Sequence, residues 1–353
     1  MPVNTIHVVL STEPKGGKGG VATVIPIHLR LLGALGETIH ISTHRSTPLW
    51  GKLGPWILSF FRCYGVLLRN FGRAKLFHVH PGSGLCLLRM LGLTAFLRIG
   101  LRQRAFVYLH TPYLEQYLRS GFWRKVIACL IRLSTRTVVL THYGKRLLEE
   151  ARLAEKAVVV PNPYQAEAFA PNSKGDDVRY VLVMGRIVHG KGFVETLGAL
   201  ARLPDSFRLI IAGEGPEFDA LRREAEQHSL QERIEWAGWV SGEAKRRLLQ
   251  KADVFCLPSR VDSFGMSFVE AQCFDLPVVA YRHPPVIEVL KPDQSVIVDS
   301  LDPRTLADAI LEAQKLSSSI QPGAGSRWIT ERFGLDRVGQ LLEREVIEVS
   351  TKK

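Results

Sequence analysis

Residues 258–271 have the sequence PSRVDSFGMSFVEA, and the fold is predicted most directly from this stretch. The apolar run Val254 to Leu257 precedes it, and the residues from Met266 onward are apolar at helical spacing. Between them, Phe264-Gly265 supplies a tight turn. The pattern predicts a strand, a glycine turn and a helix, which is the repeating unit of α/β proteins with parallel sheets.

Two carboxylates, Asp262 and Glu270, stand eight positions apart on either side of this turn. The backbone amides of Gly265 and Met266 would be free donors in the first helical turn, where phosphates bind. Glu270 lies a further turn along the helix and is placed to accept from both hydroxyls of a ribose. An ordinary strand-to-helix turn, with Asp262 or Ser263 as N-cap, explains the stretch equally well when it is taken alone.

A second glycine-rich segment, residues 185–192, has the sequence GRIVHGKG and follows the apolar run 180–184. Its Arg186 and Lys191 are five positions apart and flanked by glycines, so both cations can reach one anion. A diphosphate suits this pair, because arginine binds its oxygens in a fork and lysine adds a mobile charge. Both cations would also stabilise a departing diphosphate. A solvated loop with incidental charges is the alternative for either residue alone.

The alternation of apolar runs and helical segments extends over all 353 residues, a length that favours two cores over one. It is interrupted at Pro161-Asn162-Pro163 and again by the loop-forming residues 171–177. We therefore predict two Rossmann-like domains with parallel sheets, residues 1–165 and 166–353, with the last helix able to pack back on the first domain.

The first domain contains two candidate ligand-binding segments. Residues 15–20, KGGKGG, follow the apolar run Ile6 to Leu10 but lack the Gly-Lys-Ser/Thr ending of a P-loop. A mobile connection and a backbone cradle for an anion both fit them. His110 follows the run Ala105 to Leu109, so it is predicted at the carboxyl end of a strand, where open α/β sheets bind ligands.

Charge is distributed unevenly between the halves. The net charge is +12, but residues 1–160 contain 22 Lys and Arg against 6 Asp and Glu, whereas residues 161–353 contain 24 against 28. No acidic residue occurs between Glu37 and Glu115. This asymmetry predicts that the first half binds a polyanion, either nucleic acid or an anionic membrane surface. No nucleic-acid-binding motif is recognisable, so the membrane surface is favoured.

Five cysteines are scattered without a Cys-x-x-Cys pair or ligand-spaced histidines. This predicts a reducing, cytoplasmic environment with neither a disulfide framework nor structural zinc. The sequence begins with a strand-like run and glycines, so no signal peptide is expected. No stretch approaches about 18 uninterrupted apolar residues, so no membrane-spanning helix is expected either.

A stripe of apolar side chains at helical spacing is formed by Leu53, Trp56, Ile57, Phe60, Phe61, Tyr64, Leu67 and Leu68. Lys52, Arg62 and Arg69 lie off this stripe. Such a helix either packs on a core or lies in a membrane interface. We predict that the stripe faces the core and that the surrounding arginine-rich surface faces lipid headgroups.

Several motifs taken together resemble the retaining glycosyltransferases of family four, which have the GT-B fold, and the match covers nearly the whole chain. The motifs are Gly19-Gly20, Asn162, Gly185-Arg186 with Lys191-Gly192, Gly213-Glu214-Gly215-Pro216, Gly238-Trp239-Val240, and Asp262 with Glu270 around Phe264-Gly265.

The resemblance implies two facing Rossmann-like domains with a deep interdomain cleft and a nucleotide sugar held by the C-terminal domain. Arg186 and Lys191 would hold the diphosphate and Glu270 the ribose, while Asp262 and His110 would act near the sugar. The other donor-binding residues implied are Gly19, Gly20, Gly213, Trp239, Val240, Phe264, Gly265 and Met266. No metal or other cofactor is expected, because the two cations and the helix amides replace it, and the anomeric configuration would be retained.

Two positions depart from the family pattern. Asp262 stands where members usually carry glutamate, which withdraws the carboxylate by about 1.5 Å. His283-Pro284-Pro285 stands where the family commonly has a glycine, so prolines stiffen the loop before Glu288.

These features predict a cytoplasmic hexosyltransferase, peripherally bound to the inner membrane, that uses a UDP-sugar or GDP-sugar and a lipid-linked or glycan acceptor. Assembly of a bacterial surface polysaccharide or lipopolysaccharide is the natural pathway by resemblance. The alternatives are a sugar-nucleotide epimerase or phosphorylase of the same fold, a non-enzymatic basic protein that binds nucleic acid or membranes, and a transferase that binds without turnover.

Overall fold

The structure is a computed structural model that describes residues 5–14, 19–44, 49–166 and 178–348. The chain divides into two compact units. The first comprises the described residues up to Gln165 together with those from Phe333 onward, and the second comprises those within Ala166–Arg332.

The first unit is built on a six-stranded parallel sheet in the order β2-β1-β3-β4-β5-β6. Its strands are β1 (Thr5–Thr12), β2 (Glu37–His44), β3 (Ala74–Val79), β4 (Arg104–Leu109), β5 (Arg136–Val139) and β6 (Ala157–Val159). Its helices are α1 (Gly20–Gly33), α2 (Leu49–Arg69), α3 (Leu85–Ala95), α4 (Leu114–Arg119), α5 (Gly121–Leu133) and α6 (His142–Glu150), with a π-helical segment, Phe96–Gly100, after α3.

Both faces of this sheet are covered, which explains why its strands are continuous apolar runs. Ile6, Val8 and Leu10 of β1 belong to a core shared with α2, α3 and α5. Val9 of the same strand points to the opposite core, where it meets residues of α1 such as Leu31. Successive side chains of one strand therefore belong to two different cores, one on each face of the sheet.

The second unit repeats the plan with the parallel order β12-β11-β10-β7-β8-β9. Its strands are β7 (Arg179–Met184), β8 (Phe207–Ala212), β9 (Ile234–Trp236), β10 (Val254–Leu257), β11 (Val278–Tyr281) and β12 (Ser295–Val298). Its helices are α7 (Phe193–Leu200), α8 (Phe218–Gln227), α9 (Gly242–Lys251), α10 (Met266–Cys273), α11 (Pro284–Ile287), α12 (Pro303–Leu316) and α13 (Ala324–Phe333), with 3-10 turns at Gln231–Arg233 and Pro292–Gln294. The predicted α/β class with two parallel sheets is confirmed.

The last described helical segments belong to the first unit. Helix α14 (Leu335–Leu342) continues into a π-helical segment, Glu343–Glu348. Val338, Leu342 and Val346 are buried in the same core as Leu31 of α1. The C-terminal segment is thus part of the first unit's core although it follows the second unit in sequence.

The prediction that the α2 stripe faces the core is wrong for five of its eight residues. Trp56 and Phe60 pack inward, since the Trp56 indole donates to the Arg89 carbonyl at 2.9 Å and the Phe60 ring lies 5.0 Å from that of Phe96. A second line of large apolar side chains on α2 is 43–70% exposed. Its members are Leu53, Ile57, Phe61, Tyr64 and Leu68, here called the outer α2 stripe. The apolar pattern is wide enough to cover two adjoining helix faces, and only one of them meets the core.

Candidate functional site

Three loops of the second unit, after β7, β8 and β10, are joined by backbone hydrogen bonds at the carboxyl edge of the sheet. The Gly185 amide donates to the Ala212 carbonyl at 3.0 Å, and the Ile187 amide donates to the Glu214 backbone carbonyl at 2.9 Å. The Arg260 amide donates to the Gly190 carbonyl at 2.8 Å. The structure therefore brings the two predicted motifs, residues 185–192 and 258–271, to one place on the edge where parallel sheets bind ligands.

Two glycines allow this close approach of the loops. A Cβ on Gly213 would lie 2.0 Å from the Gly185 carbonyl oxygen, so only glycine fits between β8 and the loop after β7. Gly192 has a φ of +88° at the start of α7, and a Cβ there would lie 2.7 Å from the Pro258 ring. Gly213, predicted as a donor-binding residue, thus has a packing role that the structure makes explicit.

Gly192→Ala is expected to destabilise the second unit by about 3 kcal/mol, because the alanine suffers both a positive φ and a clash with Pro258. Gly238→Ala is the matched control, since Gly238 also has a positive φ, +63°, but no atom lies within 4 Å of the added Cβ. We expect the control to cost about 1 kcal/mol. Urea unfolding of both variants measures the difference. If both variants lost the same free energy of unfolding, the Pro258 ring would have moved to accommodate the added Cβ, and the contact would not restrict residue 192.

An ion pair joins the two motifs. Lys191 Nζ lies 2.6 Å from Asp262 Oδ1, and the side chains are only 15% and 11% exposed. The other carboxylate oxygen, Oδ2, is buried and finds no hydrogen-bond partner among the described residues. A buried carboxylate oxygen without a donor is costly, so this atom is suited to accept a hydrogen bond from a ligand hydroxyl.

His283 packs against the backbone of Asp262. Its Nε2 lies 3.1 Å from the Asp262 carbonyl oxygen and 3.4 Å from the Asp262 amide nitrogen. His283 is also the N-cap of α11, in which Pro284 and Pro285 occupy the first turn. The proline-stiffened loop is therefore a short helix that supports the backbone at Asp262.

Glu270 is buried on α10, and its Oε1 receives a hydrogen bond from Lys245 Nζ of α9 at 2.6 Å. The sequence alone did not indicate Lys245. It belongs to the cationic run Lys245-Arg246-Arg247 on an ordinary surface helix, and nothing in the spacing distinguishes it from its neighbours. The charge-assisted bond fixes the orientation of the Glu270 carboxylate.

The helix that carries Glu270 begins as predicted. Gly265 has a φ of +93° and directly precedes α10. The backbone amides of Gly265 and Met266 donate to no residue that the structure describes, so they remain available to an anion. Phe264 is 2% exposed and belongs to the core, so its side chain is not placed to contact a ligand.

The remaining predicted residues of the second unit are accessible. Arg186 is exposed and forms no ion pair with the described part of the chain. Trp239 and Val240 are half-buried in the loop between β9 and α9. Within residues 5–14, 19–44, 49–166 and 178–348, no group of three or more His, Cys, Asp or Glu side chains is arranged to hold a metal ion. Independence from metal stays a prediction.

The other predicted residues lie in the first unit. Gly19 is the N-cap of α1 and Gly20 its first residue, whereas residues 15–18 of the predicted loop lie outside the described residues. His110 follows β4 as predicted but is buried, and its Nε2 lies 2.9 Å from Nδ1 of His80. Burial lowers the pKa of His110 to about 4, so its ring is neutral at pH 7.

Comparison with known proteins finds similarity over part of the chain. Residues 164–321 match the family model described as glycosyl transferases group 1, which confirms the resemblance for this segment. The chain is 29% identical over 160 residues to the gpi3 subunit of the Schizosaccharomyces pombe phosphatidylinositol N-acetylglucosaminyltransferase, covering 42% of this chain and 35% of that one. It is 28% identical over 213 residues to the Xanthomonas oryzae pv. oryzae GDP-mannose:cellobiosyl-diphosphopolyprenol alpha-mannosyltransferase, covering 58% and 55%. The chain thus spans between about a third and about half of the length of these curated relatives.

Structural comparison establishes the fold. The crystal structure of Anabaena Alr3699/HepE in complex with UDP-glucose matches with a TM-score of 0.77 at 16% identity, over 98% of this chain and 99% of that one. The two parallel sheets of this chain are therefore those of the GT-B glycosyltransferase fold, as predicted.

Proposed function

We propose that this chain, which carries a group 1 glycosyl transferase segment, is a retaining glycosyltransferase that moves a hexose-type sugar from a nucleotide diphosphate to a lipid-linked or saccharide acceptor. One observation supports this proposal. Four charged groups and the free amides at the start of α10 lie together at the carboxyl edge of the second sheet. The four groups are Arg186, Lys191, Asp262 and Glu270.

In the proposed reaction the diphosphate binds at the α10 amides, with Arg186 and Lys191 as its cations. As the bond between sugar and diphosphate breaks, these groups stabilise the growing negative charge without rearranging. Metal ions are not required, because this charge is already balanced by protein groups. The acceptor hydroxyl attacks from the face that the diphosphate leaves and gives its proton to a departing phosphate oxygen, so the anomeric configuration is retained.

The carboxylates have separate tasks in this proposal. Glu270, oriented by Lys245, accepts from the ribose hydroxyls. Asp262 is fixed by Lys191 through Oδ1 and offers Oδ2 to a hydroxyl of the sugar. His110 of the first unit is proposed to bind the sugar as a neutral imidazole.

The donor is proposed to be a UDP-sugar or a GDP-sugar, since one similar structure is a complex with UDP-glucose and one relative is named for GDP-mannose. The names of the two relatives also contain a lipid, phosphatidylinositol in one and a diphosphopolyprenol in the other. A lipid-linked acceptor in surface polysaccharide or lipopolysaccharide assembly is therefore proposed here.

Thermal unfolding with UDP, GDP, ADP and their hexose conjugates tests the donor site. We expect one nucleotide, at a hundred times its Kd, to raise the Tm by about 5 °C or more. Glu270→Gln is expected to weaken that nucleotide about tenfold to a hundredfold, because the ribose loses a charged acceptor. Glu243→Gln, which changes an exposed carboxylate on α9, is the matched control and should leave the affinity unchanged.

Product analysis completes this test. The α-configured donor should give an α-linked product, and EDTA should not slow transfer. A chain that binds no nucleotide would contradict the transferase function, and conversion of the donor sugar without any acceptor would indicate an epimerase.

The outer α2 stripe supports the proposed membrane partner. None of the described helices is long and apolar enough to cross a membrane. Leu53, Ile57, Phe61, Tyr64 and Leu68 recur at intervals of four, four, three and four residues, so they form one line along the helix. Exposed Arg62 and Arg69 flank this line. An apolar line beside cations on a long helix fits the interface of an anionic bilayer, and we propose that α2 lies in it peripherally on the cytoplasmic side.

Cosedimentation with vesicles of anionic and neutral lipid tests this partner. The double variant Phe61→Ser, Leu68→Ser should bind anionic vesicles at least about tenfold more weakly, because two large side chains no longer enter the interface. Val194→Ser, which removes an exposed apolar side chain of the second unit, is the control. Equal binding of both variants would contradict the role of α2. Salt-sensitive DNA binding without vesicle binding would favour a nucleic-acid partner instead.

A further inference from the structure

In the described part of the first unit, six polar aromatic side chains are buried on the sheet face that α1 covers. They are His7, His28, His78, His80, Tyr108 and His110. Five of the six form two separate hydrogen-bonded sets. His7 Nδ1 lies 3.0 Å from His78 Nε2, and His78 Nδ1 lies 2.8 Å from the Tyr108 hydroxyl. The second set consists of His80 and His110. Only His110 has a role in the function proposed above.

The hydrogen bond between His80 and His110 joins two buried imidazole rings. His80 Nδ1 lies 2.9 Å from His110 Nε2, and the side chains are 1% and 7% exposed. Burial lowers the pKa of both imidazoles, so both rings are neutral at pH 7. A neutral imidazole has one N–H donor and one acceptor nitrogen. One ring therefore donates in this bond and the other accepts.

The second nitrogen of His80 indicates which ring donates. His80 Nε2 is buried and finds no hydrogen-bond partner among the described residues. The Tyr108 ring stacks on His80 at 4.3 Å and 11°, and the His28 ring stands edge-on at 4.8 Å, so aromatic rings surround it. A buried N–H without an acceptor is rarer in proteins than a buried acceptor without a donor. The unpaired Nε2 is therefore the acceptor nitrogen, and the proton of His80 lies on Nδ1.

We propose that His80 is a positioning residue that holds His110 as the Nδ1–H tautomer. Because His80 Nδ1–H donates to His110 Nε2, the proton of His110 must lie on Nδ1. Nδ1 makes no hydrogen bond with the described residues, and it is the nitrogen of His110 that is left for a ligand. His110 therefore donates a hydrogen bond to a ligand oxygen and does not accept a proton there.

This inference deepens the proposed transferase function and rests on it for the identity of the ligand. With a sugar bound, His110 Nδ1–H would donate to a hydroxyl oxygen. The residue would then select for an oxygen at that position of the sugar, rather than act as a general base toward the acceptor.

Nitrogen NMR of histidine side chains in the ¹⁵N-labelled full chain tests the tautomer directly, because protonated and bare imidazole nitrogens have well-separated shifts. In the absence of any ligand we expect His110 to carry its proton on Nδ1 and His80 on Nδ1. A proton on His110 Nε2 would overturn the proposal. An Nδ1–H tautomer in a protein that transfers no sugar would contradict the transferase function but leave the pairing of His80 and His110 intact.

A matched pair of variants separates positioning from packing. His80→Asn places an amide N–H near the former Nδ1 and should keep the His110 tautomer. His80→Gln places its amide nearer the former Nε2, so it should no longer hold His110 in the Nδ1–H tautomer. We expect kcat/KM within about threefold of the wild type for the first variant and a loss of about tenfold to a hundredfold for the second, with similar Tm values. An equal loss in both variants, with the wild-type tautomer retained in both, would assign His80 a packing role only and overturn the proposal.

Discussion

Replacing Lys191 by methionine is expected to lower kcat/KM for sugar transfer by about 10³, because one of the two cations proposed to balance the departing diphosphate is lost. The same change also removes the partner of Asp262, 2.6 Å away in a nearly buried pair. An unpaired carboxylate at this position should cost about 2–4 kcal/mol of folding free energy. The variant should therefore be less stable and less active, and the two losses have different causes.

The double variant Lys191→Met, Asp262→Asn separates these causes. Removing the carboxylate should return most of the lost stability, because no unpaired charge remains buried. Activity should stay at the level of the single variant or below, because the cation is still missing. Urea unfolding and steady-state kinetics are measured for the wild type, the two single variants Lys191→Met and Asp262→Asn, and the double variant, which together form a double-mutant cycle. If Lys191→Met retained full activity, Lys191 would be only the structural partner of Asp262, and the assignment of the diphosphate site would be wrong.

The predicted second-unit residues share one structural property. Arg186, Lys191, Asp262 and Glu270 all follow strands β7 and β10, which lie next to each other in the sheet. Adjacent parallel strands place the segments after them on one edge of the sheet. The sequence indicated that each motif follows a strand, whereas the adjacency of β7 and β10 is known from the structure.

The partners of these residues could not be predicted in the same way. Lys245 is 25 positions from Glu270 on another helix, and His80 is 30 positions from His110 and follows another strand. Each contact depends on how one element packs against another, and neither leaves a local pattern in the sequence. The structure adds these second partners, which fix the orientation of a carboxylate and of an imidazole.

The α2 error has a different origin. Periodicity showed that the helix is apolar, but it could not show how wide the contact with the core would be. Trp56 and Phe60 use the core face, whereas Phe61 and Leu68 extend the apolar surface beyond it. The proposed role of α2 uses both faces: one packs on the domain and the adjoining one would enter the membrane interface.

Lowering the pH from 7 to 5 is expected to unfold the first unit. Burial lowers the pKa of His7 and His110 to about 4 and of His28 to about 3, and it lowers the pKa values of His78 and His80 well below the ordinary value of 6.5. Below pH 6.5 the unfolded chain binds protons at these sites while the folded chain does not. The stability is therefore complete above pH 6.5 and falls as the pH drops toward 4.

The size of this effect follows from linkage. Each histidine that is protonated only in the unfolded chain removes about 2 kcal/mol between pH 7 and pH 5, so five remove roughly 10 kcal/mol. A domain of this size is commonly stable by about 5–15 kcal/mol, so the loss is comparable with the whole stability. Urea unfolding at a series of pH values, with near-UV circular dichroism and potentiometry, measures the slope and the number of protons taken up.

Two substitutions test the assignment to the buried cluster. His28→Phe keeps an aromatic ring beside His80 and Tyr108, so it should remove one proton from the uptake, about a fifth of the pH dependence, without unfolding the protein at pH 7. His228→Gln changes an exposed histidine that pairs with Glu224 on the surface and should leave the slope unchanged. An uptake of one proton or fewer in the wild type would mean that the cluster is already protonated or hydrated when folded, and the neutral tautomers on which the His80 proposal depends would then be wrong as well.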